Sequence, residues 1–248
     1  IDDSNDDYIE FSEKMISILY NNNDSHKEYE QYRGLANEKF DVINSHFAMH
    51  YYFKNEDTFN GFIQNLNDNI SIGGYFIGEC YNGLTIFNQF NQLKGEDIKY
   101  IDDFGNLIYN IEKKYDIQSF DKDKLIRKNK IFGNEINVYM ESIGQKITEY
   151  LVHFEYLIEV MKDNGFELIQ KIQNLKKEYH HIFRNDYFNE LGLGSFQIII
   201  EKIPELNQSD KLFQKKYNEA MGIIMDDKLK LLSSFNNYFI FQKVKKSN

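Results

Sequence analysis

The stretch at 40–47, FDVINSHF, carries one charge in its first five positions and includes Val42 and Ile43, which is the composition of a buried strand. From 54 to 70 the period changes. Phe59, Phe62, Ile63, Leu66 and Ile70 recur at three- and four-residue steps and share one helical face. SIGGYFIGEC then places a turn at Gly73-Gly74 and predicts a strand over 75–80. A strand, a helix and a strand with short connections form a βαβ unit, so 40–47 and 75–80 should lie parallel, with 54–70 crossing between them. Upstream, Tyr8, Ile9, Phe11, Met15, Ile16, Ile18 and Leu19 have helical spacing, and 21–31 reads as a polar loop entering a short helix. Downstream, 81–148 is charged and loop-rich, with a strand at NEINVYMES, and is expected to be an insertion covering the sheet. Thr148 is placed to cap a helix reaching about Asn164, with Leu151, Phe154, Ile158 and Met161 inward and Gly165 as its stop. A strand over 166–172, helices over 173–192 and 226–233, and a terminal strand over 236–244 complete the order. Neither a repeat nor a second domain emerges, so 1–248 reads as one domain.

Composition narrows the class. With 248 residues, 42% of them hydrophobic, the chain can bury a sizeable core. A single cysteine, Cys80, excludes an internal disulfide and any multi-cysteine zinc site. Cys80 itself reads as buried packing. His180-His181 lies in a charged helical pattern without cysteine or carboxylate at metal spacing, so no metal is expected there. No window approaches a membrane span. The net charge of −10 disfavours a long nucleic-acid groove, which draws its affinity from phosphate neutralisation. It leaves room for recognition of one nucleotide in a pocket.

The candidate chemistry sits where the first strand ends. In open α/β sheets, ligands bind at the carboxyl ends of the strands. SHFAMHYYF puts His46, His50 and Tyr51 at that edge. Taken alone, the segment also suits aromatics packed beneath a helix and solvated histidines. The order of segments favours a site. FDVINSHFAMHYYF, a helix, then ISIGGYFIG resembles the mRNA cap guanine-N7 methyltransferases, with their Gln-Phe-x-x-His-Tyr-x-Phe strand end and their Pro-Gly-Gly-Tyr-Phe-Ile-Gly strand. FGNEINVYMESIGQKITEYLVHFEYLIEVMKDNGFELI resembles the family's Glu-(Phe/Tyr)-Leu-Val segment, and LSSFNNYFIFQKV its closing strand, especially as found in large DNA viruses. GGYFIG alone would say little; four matches in the correct order say much more.

The resemblance implies the class I S-adenosylmethionine-dependent methyltransferase fold, a Rossmann-like α/β sheet with an antiparallel last strand. It implies methyl transfer from S-adenosylmethionine to guanine N7 of the mRNA 5′ cap. No Gly-x-Gly-x-x-Gly segment occurs, and IDDSN resembles the family's Asp-Ser-Ser segment after the third strand, so the chain is expected to start there. By the same resemblance Asp3, Ser4, His46 and Tyr51 border the cofactor, with His46 standing where the family has Gln. His50, Glu149 and Tyr238 border the cap guanine. Glu149 could accept from N1–H and the exocyclic amine, a donor pair that adenine lacks. Outside that context, Glu149 would read as a first-turn helix charge. No catalytic base is implied, because N7 has a lone pair and no proton to lose. Capped mRNA is the implied partner, with triphosphatase and guanylyltransferase domains on the same polypeptide. The expected setting is the cytoplasmic factory or virion of a large DNA virus, or the nucleus if the protein is cellular. The other reading is a non-catalytic, methyltransferase-like structural or stimulatory subunit of a capping complex.

Overall fold

The computed structural model describes residues 17–20, 27–169, 192–196, 218, 222 and 226–245. The expected N-terminal helix is therefore seen only at 17–19. Asp3, Ser4 and His180-His181 lie outside the described residues, as does nearly all of the helix expected over 173–192.

The βαβ unit forms as its pattern predicts. Strand β1 (Phe40–His46) runs into a short helix α1 (Met49–Tyr52), then helix α2 (Glu56–Asn69), then strand β2 (Ile70–Tyr81). β1 and β2 pair in parallel, with His46 opposite Glu79. Helix α2 starts at a reciprocal cap. The Asn55 side chain accepts from the Thr58 amide at 2.9 Å, and the Thr58 hydroxyl accepts from the Asn55 amide at 3.3 Å. Its buried face is Phe59, Phe62, Ile63 and Leu66. Asn55→Ala is expected to cost about 1 kcal/mol, read as a lowered denaturant midpoint with an unchanged slope.

Two expectations in this unit need correction. β1 is not buried on both faces: Val42 is 52% exposed, and only Ile43 and Ser45 turn toward cover. Among the described residues β1 is an edge strand, so only alternate side chains are covered. Gly73-Gly74 is not a turn before the strand but an irregularity within β2. Gly73 has φ +88°, and a side chain at Gly74 would meet the carbonyl oxygens of Asp41 and Phe40 at 2.9 and 3.1 Å.

The terminal strand β9 (Asn236–Lys243) lies antiparallel along β2. On its far side it pairs with two short strands, β7 (Phe166–Leu168) and β8 (Leu193–Ser195). Phe76, Phe239 and Phe241 of this sheet pack with α2 and with helix α5 (Phe154–Asp163) in one core.

Residues 81–148 are more regular than their charge pattern suggests. Helix α3 (Gly83–Leu93) leads to an antiparallel meander of β3 (Asp97–Ile101), β4 (Leu107–Lys113), β5 (Glu135–Met140) and β6 (Lys146–Tyr150), with helix α4 (Lys122–Arg127) between β4 and β5. This sheet has its own core, which includes Ile86, Phe90, Ile111, Ile136 and Val138. Helix α6 (Asp227–Ser234), capped by Asp226, contributes Leu232 to it.

Thr148 does not cap a helix. It lies in β6, where its hydroxyl donates to the Asn137 side chain at 3.0 Å. The helix begins at Phe154, with His153 as its cap residue. KITEY finds in EINVYM a cross-strand partner that local periodicity cannot reveal, and pairing overrides helical spacing. The helix does stop at Gly165, which has φ +78°.

Candidate functional site

The site gathers at the carboxyl ends of β1 and β2. Helix α1 turns the chain sharply after β1 and packs against both β2 and β6. That packing buries His50, which is 3% exposed, beside Glu149 of β6, which is 8% exposed. Glu149 stands opposite Ile136 on β5, so the meander fixes its position.

His50 Nδ1 and Glu149 Oε2 are 3.5 Å apart, too far for a strong hydrogen bond. Both ring nitrogens of His50 and Glu149 Oε2 are buried without a hydrogen-bond partner among the described residues. Each unsatisfied polar group costs roughly 1–3 kcal/mol. Three such atoms in one place leave donor and acceptor capacity that a polar ligand could satisfy. Burial pushes His50 down to about 4 and Glu149 up to about 7. At neutral pH His50 is therefore an uncharged donor–acceptor, and Glu149 is poised to ionise when donors reach it.

Tyr51 closes the outer side. Its ring meets His50 edge-on at 4.2 Å and 68°, yet the residue is 43% exposed. Its phenol is pushed up by burial and then by the Glu149 carboxylate. The same carboxylate adds to the burial that raises Cys80 and Tyr81. Glu149 thus faces the last residues of β2 as well as α1.

A second row crosses the sheet beside this pair. His46, Glu79, Tyr238 and Gly194 are consecutive register partners on β1, β2, β9 and β8. His46 Nδ1 contacts Glu79, and its Nε2 contacts the Asn44 amide. Tyr238 is half-buried, with its phenol pushed up to about 12 by burial. Its ring lies where a side chain at Gly194 would stand, with the hydroxyl 2.4 Å away, so any larger residue there would displace the tyrosine ring.

The structure therefore joins His50, Tyr51 and Glu149 directly, and sets His46 and Tyr238 on either side of Glu79. Sequence reasoning passed over Glu79, Gly194 and Asn236. Asn236 is buried at the start of β9, opposite Tyr81. Its amide nitrogen donates to the end of α6, at 3.4 Å to the Leu232 carbonyl and 3.3 Å to the Ser233 carbonyl, and its Oδ1 has no partner among the described residues. The signal was available: two asparagines open an aromatic-rich strand, as His46 and His50 end and follow the first. Among the described residues no three His, Cys, Asp or Glu cluster as metal ligands. No described helix is long and apolar enough to cross a membrane.

A family profile described as mRNA (guanine-N(7))-methyltransferase domain matches residues 8–226. The chain is 28% identical over 222 residues to a probable mRNA-capping enzyme of Acanthamoeba polyphaga mimivirus, covering 86% of this chain and 18% of that protein. It is 26% identical over 148 residues to an mRNA cap guanine-N(7) methyltransferase of Cryptococcus neoformans, covering 59% and 21%. The Saccharomyces cerevisiae mRNA cap guanine-N(7) methyltransferase is 24% identical over 206 residues, covering 83% and 42%. The chain thus spans less than half the length of each of these relatives.

Proposed function

The chain belongs to the mRNA (guanine-N(7))-methyltransferase domain family, and on that premise we propose that it reads the cap guanine and holds N7 for methyl transfer. The observation that carries this reading is the buried pair His50–Glu149, in which both imidazole nitrogens and Glu149 Oε2 have no hydrogen-bond partner among the described residues. S-adenosylmethionine supplies a methyl group already activated on a sulfonium, and the base supplies the N7 lone pair. Bond formation to N7 and rupture of the carbon–sulfur bond balance without a proton, a metal or a catalytic base.

The residues then have positioning roles. Ionised Glu149 accepts from guanine N1–H and the exocyclic amine. Neutral His50 offers one donor and one acceptor to the same base. The guanine ring gains positive charge as N7 is alkylated, and the Glu149 carboxylate, in a poorly hydrated site, favours that change. Tyr238 borders the base from β9. Tyr51, exposed on α1, lies on the cofactor side with His46; Asp3 and Ser4 take the adenine edge in this reading. Similarity to the mimivirus protein supports a place in a multifunctional capping enzyme of a large DNA virus, beside triphosphatase and guanylyltransferase domains and acting in the host cytoplasm.

The test is methyl transfer from labelled S-adenosylmethionine to RNA capped with GpppA or ApppA. Label is expected in N7-methylguanosine with the first and nowhere with the second. Transfer to a ribose hydroxyl, or equal transfer to both caps, contradicts the reading. Within that assay, Tyr51→Ala is expected to raise KM for S-adenosylmethionine about tenfold, the size of one lost hydrogen bond or ring contact. KM for capped RNA should move much less. The reverse split would put Tyr51 on the cap side.

A further inference from the structure

The longest connection of the meander, between β4 and β5, borders a cavity apart from the His50–Glu149 pair. Residues 122–130 read KDKLIRKNK, five cations and one acid in a chain of net charge −10. They border a cavity of about 220 Å³ whose polar lining includes Asp116, Gln118, Ser119, Lys124, Lys128 and Lys130. Buried Leu125 and Ile117 line it as well. A space of that size holds several waters, and hence a phosphate group.

Not every cation here is available. Lys122 is engaged by Glu159 and by Glu155 at 3.6 Å. Lys130 is 3.5 Å from Asp116. Arg127 donates Nε–H to the Asp123 carbonyl at 3.1 Å. Lys124 and Lys128 are exposed and have no acidic partner among the described residues. Two ammonium groups without an acidic partner among the described residues therefore share one concavity with the Lys130–Asp116 pair, a hydroxyl and an amide.

The connection is fastened to the guanine site. The Gly133 amide donates to the Phe53 carbonyl, one residue past α1, at 2.9 Å. The Asn134 side chain donates to the Lys130 carbonyl at 2.8 Å, and the Leu151 amide, two residues past Glu149, donates to the Asn134 carbonyl at 2.9 Å. At the other end Phe120 stacks flat on His153, at 4.7 Å and 6°. The lysine cavity thus has a fixed position relative to His50 and Glu149.

The geometry points to a phosphodiester-binding site for the RNA body that follows the cap, reading backbone charge and not base identity. This rests on the proposed cap substrate, which brings an RNA strand to the edge of α1. Lysine ammoniums and a hydroxyl are phosphate ligands that fix register without sequence information. No aromatic ring lines the cavity to stack a base. In a protein of strong net negative charge, a local cationic site is where a polyanion can dock.

The test compares wild type with Lys124→Glu/Lys128→Glu in binding a short capped RNA, the same RNA uncapped, and the GpppA dinucleotide. Lys39→Glu/Lys162→Glu, two exposed lysines elsewhere, controls for net charge, and thermal melts check folding. The cavity variant is expected to bind both RNAs roughly tenfold more weakly and to flatten the slope of log affinity against log salt by about 1.4, two single-strand phosphate contacts. GpppA affinity should be unchanged, and the control pair should have a much smaller effect. Unchanged RNA affinity, an equal effect of the control pair, or a parallel loss of GpppA binding overturns the proposal. So does an effect on binding of polyglutamate in place of RNA, which would assign the surface to an acidic protein. If wild type binds uncapped RNA through these lysines but fails to methylate the cap, the phosphate site stands and the cap reading falls.

Discussion

Glu149→Gln is expected to lower kcat/KM for capped RNA ten- to a hundredfold while the affinity for S-adenosylmethionine changes less than about twofold, since a charge-assisted hydrogen bond contributes roughly 1.5–3 kcal/mol. The amide keeps the shape and one acceptor. It loses the charge and turns an N–H₂ group toward a guanine edge that also donates. The measurement is steady-state methyl transfer with each substrate varied in turn, beside calorimetry with the cofactor. Wild-type transfer by this variant would remove Glu149 from base recognition.

The same substitution should have the opposite effect on stability. Glu149 titrates near 7 in the fold, above its ordinary 4.5. The folded chain therefore holds a proton that the unfolded chain has lost between those values. That contribution is fully present below about 4.5 and is lost as pH rises through 7. His50, lowered to about 4 from 6.5, behaves inversely: its contribution is complete above 6.5 and is lost as pH falls toward 4. At pH 8, then, wild type carries the cost of a buried, unpartnered carboxylate and Glu149→Gln does not. The difference is on the order of 1–3 kcal/mol, or a rise in Tm of a few degrees for a chain of this size. Near pH 4.5 the advantage should vanish. A variant that recognises the cap poorly yet melts higher at pH 8 is the signature of a group kept for its ligand.

Much of this was legible because it is local. The 3.6-residue period of Phe59 to Leu66 and the run 75–80 gave the parallel pair, and the residues just past a strand end gave His50 and Tyr51. Glu149 shows the limit. Its resemblance to a guanine-reading carboxylate was visible, but its element was not, because β6 is defined by its pairing with β5, in which Glu149 meets Ile136. The same applies to most of 81–148, where only the strand at NEINVYMES was legible: charged strands such as DIKYI and LIYNIEK alternate weakly, and only their cross-strand pairing makes them a sheet. Glu79 was passed over for another reason. Within GGYFIGEC it reads as the solvated end of a strand, and its place between His46 and Tyr238 exists only once three strands are in register.

That register depends on one atom's absence. Gly78→Ala is expected to destabilise the protein by about 2–3 kcal/mol, near the upper end for overpacking. A methyl at Gly78 would stand 2.2 Å from the Ser45 carbonyl oxygen on β1 and 2.6 Å from the Phe239 ring on β9. The ring can tilt, but Phe239 is fully buried against Phe76 and Phe154, so tilting disturbs the core. The Ser45 carbonyl is backbone and can move only by shifting β1, which carries His46 and leads into His50. The loss should therefore appear twice, as a Tm lower by about 4–12 °C and as weaker cap recognition at temperatures where the variant is still folded. Gly61→Ala tests the reasoning by its sign. Gly61 is exposed within α2 and a methyl there meets nothing within 4 Å, so alanine should stabilise by roughly 0.5–1 kcal/mol through the unfolded chain. If Gly78→Ala melts with wild type, β1 can slide relative to β2 without cost, and the fixed geometry claimed for His46 and His50 fails with it.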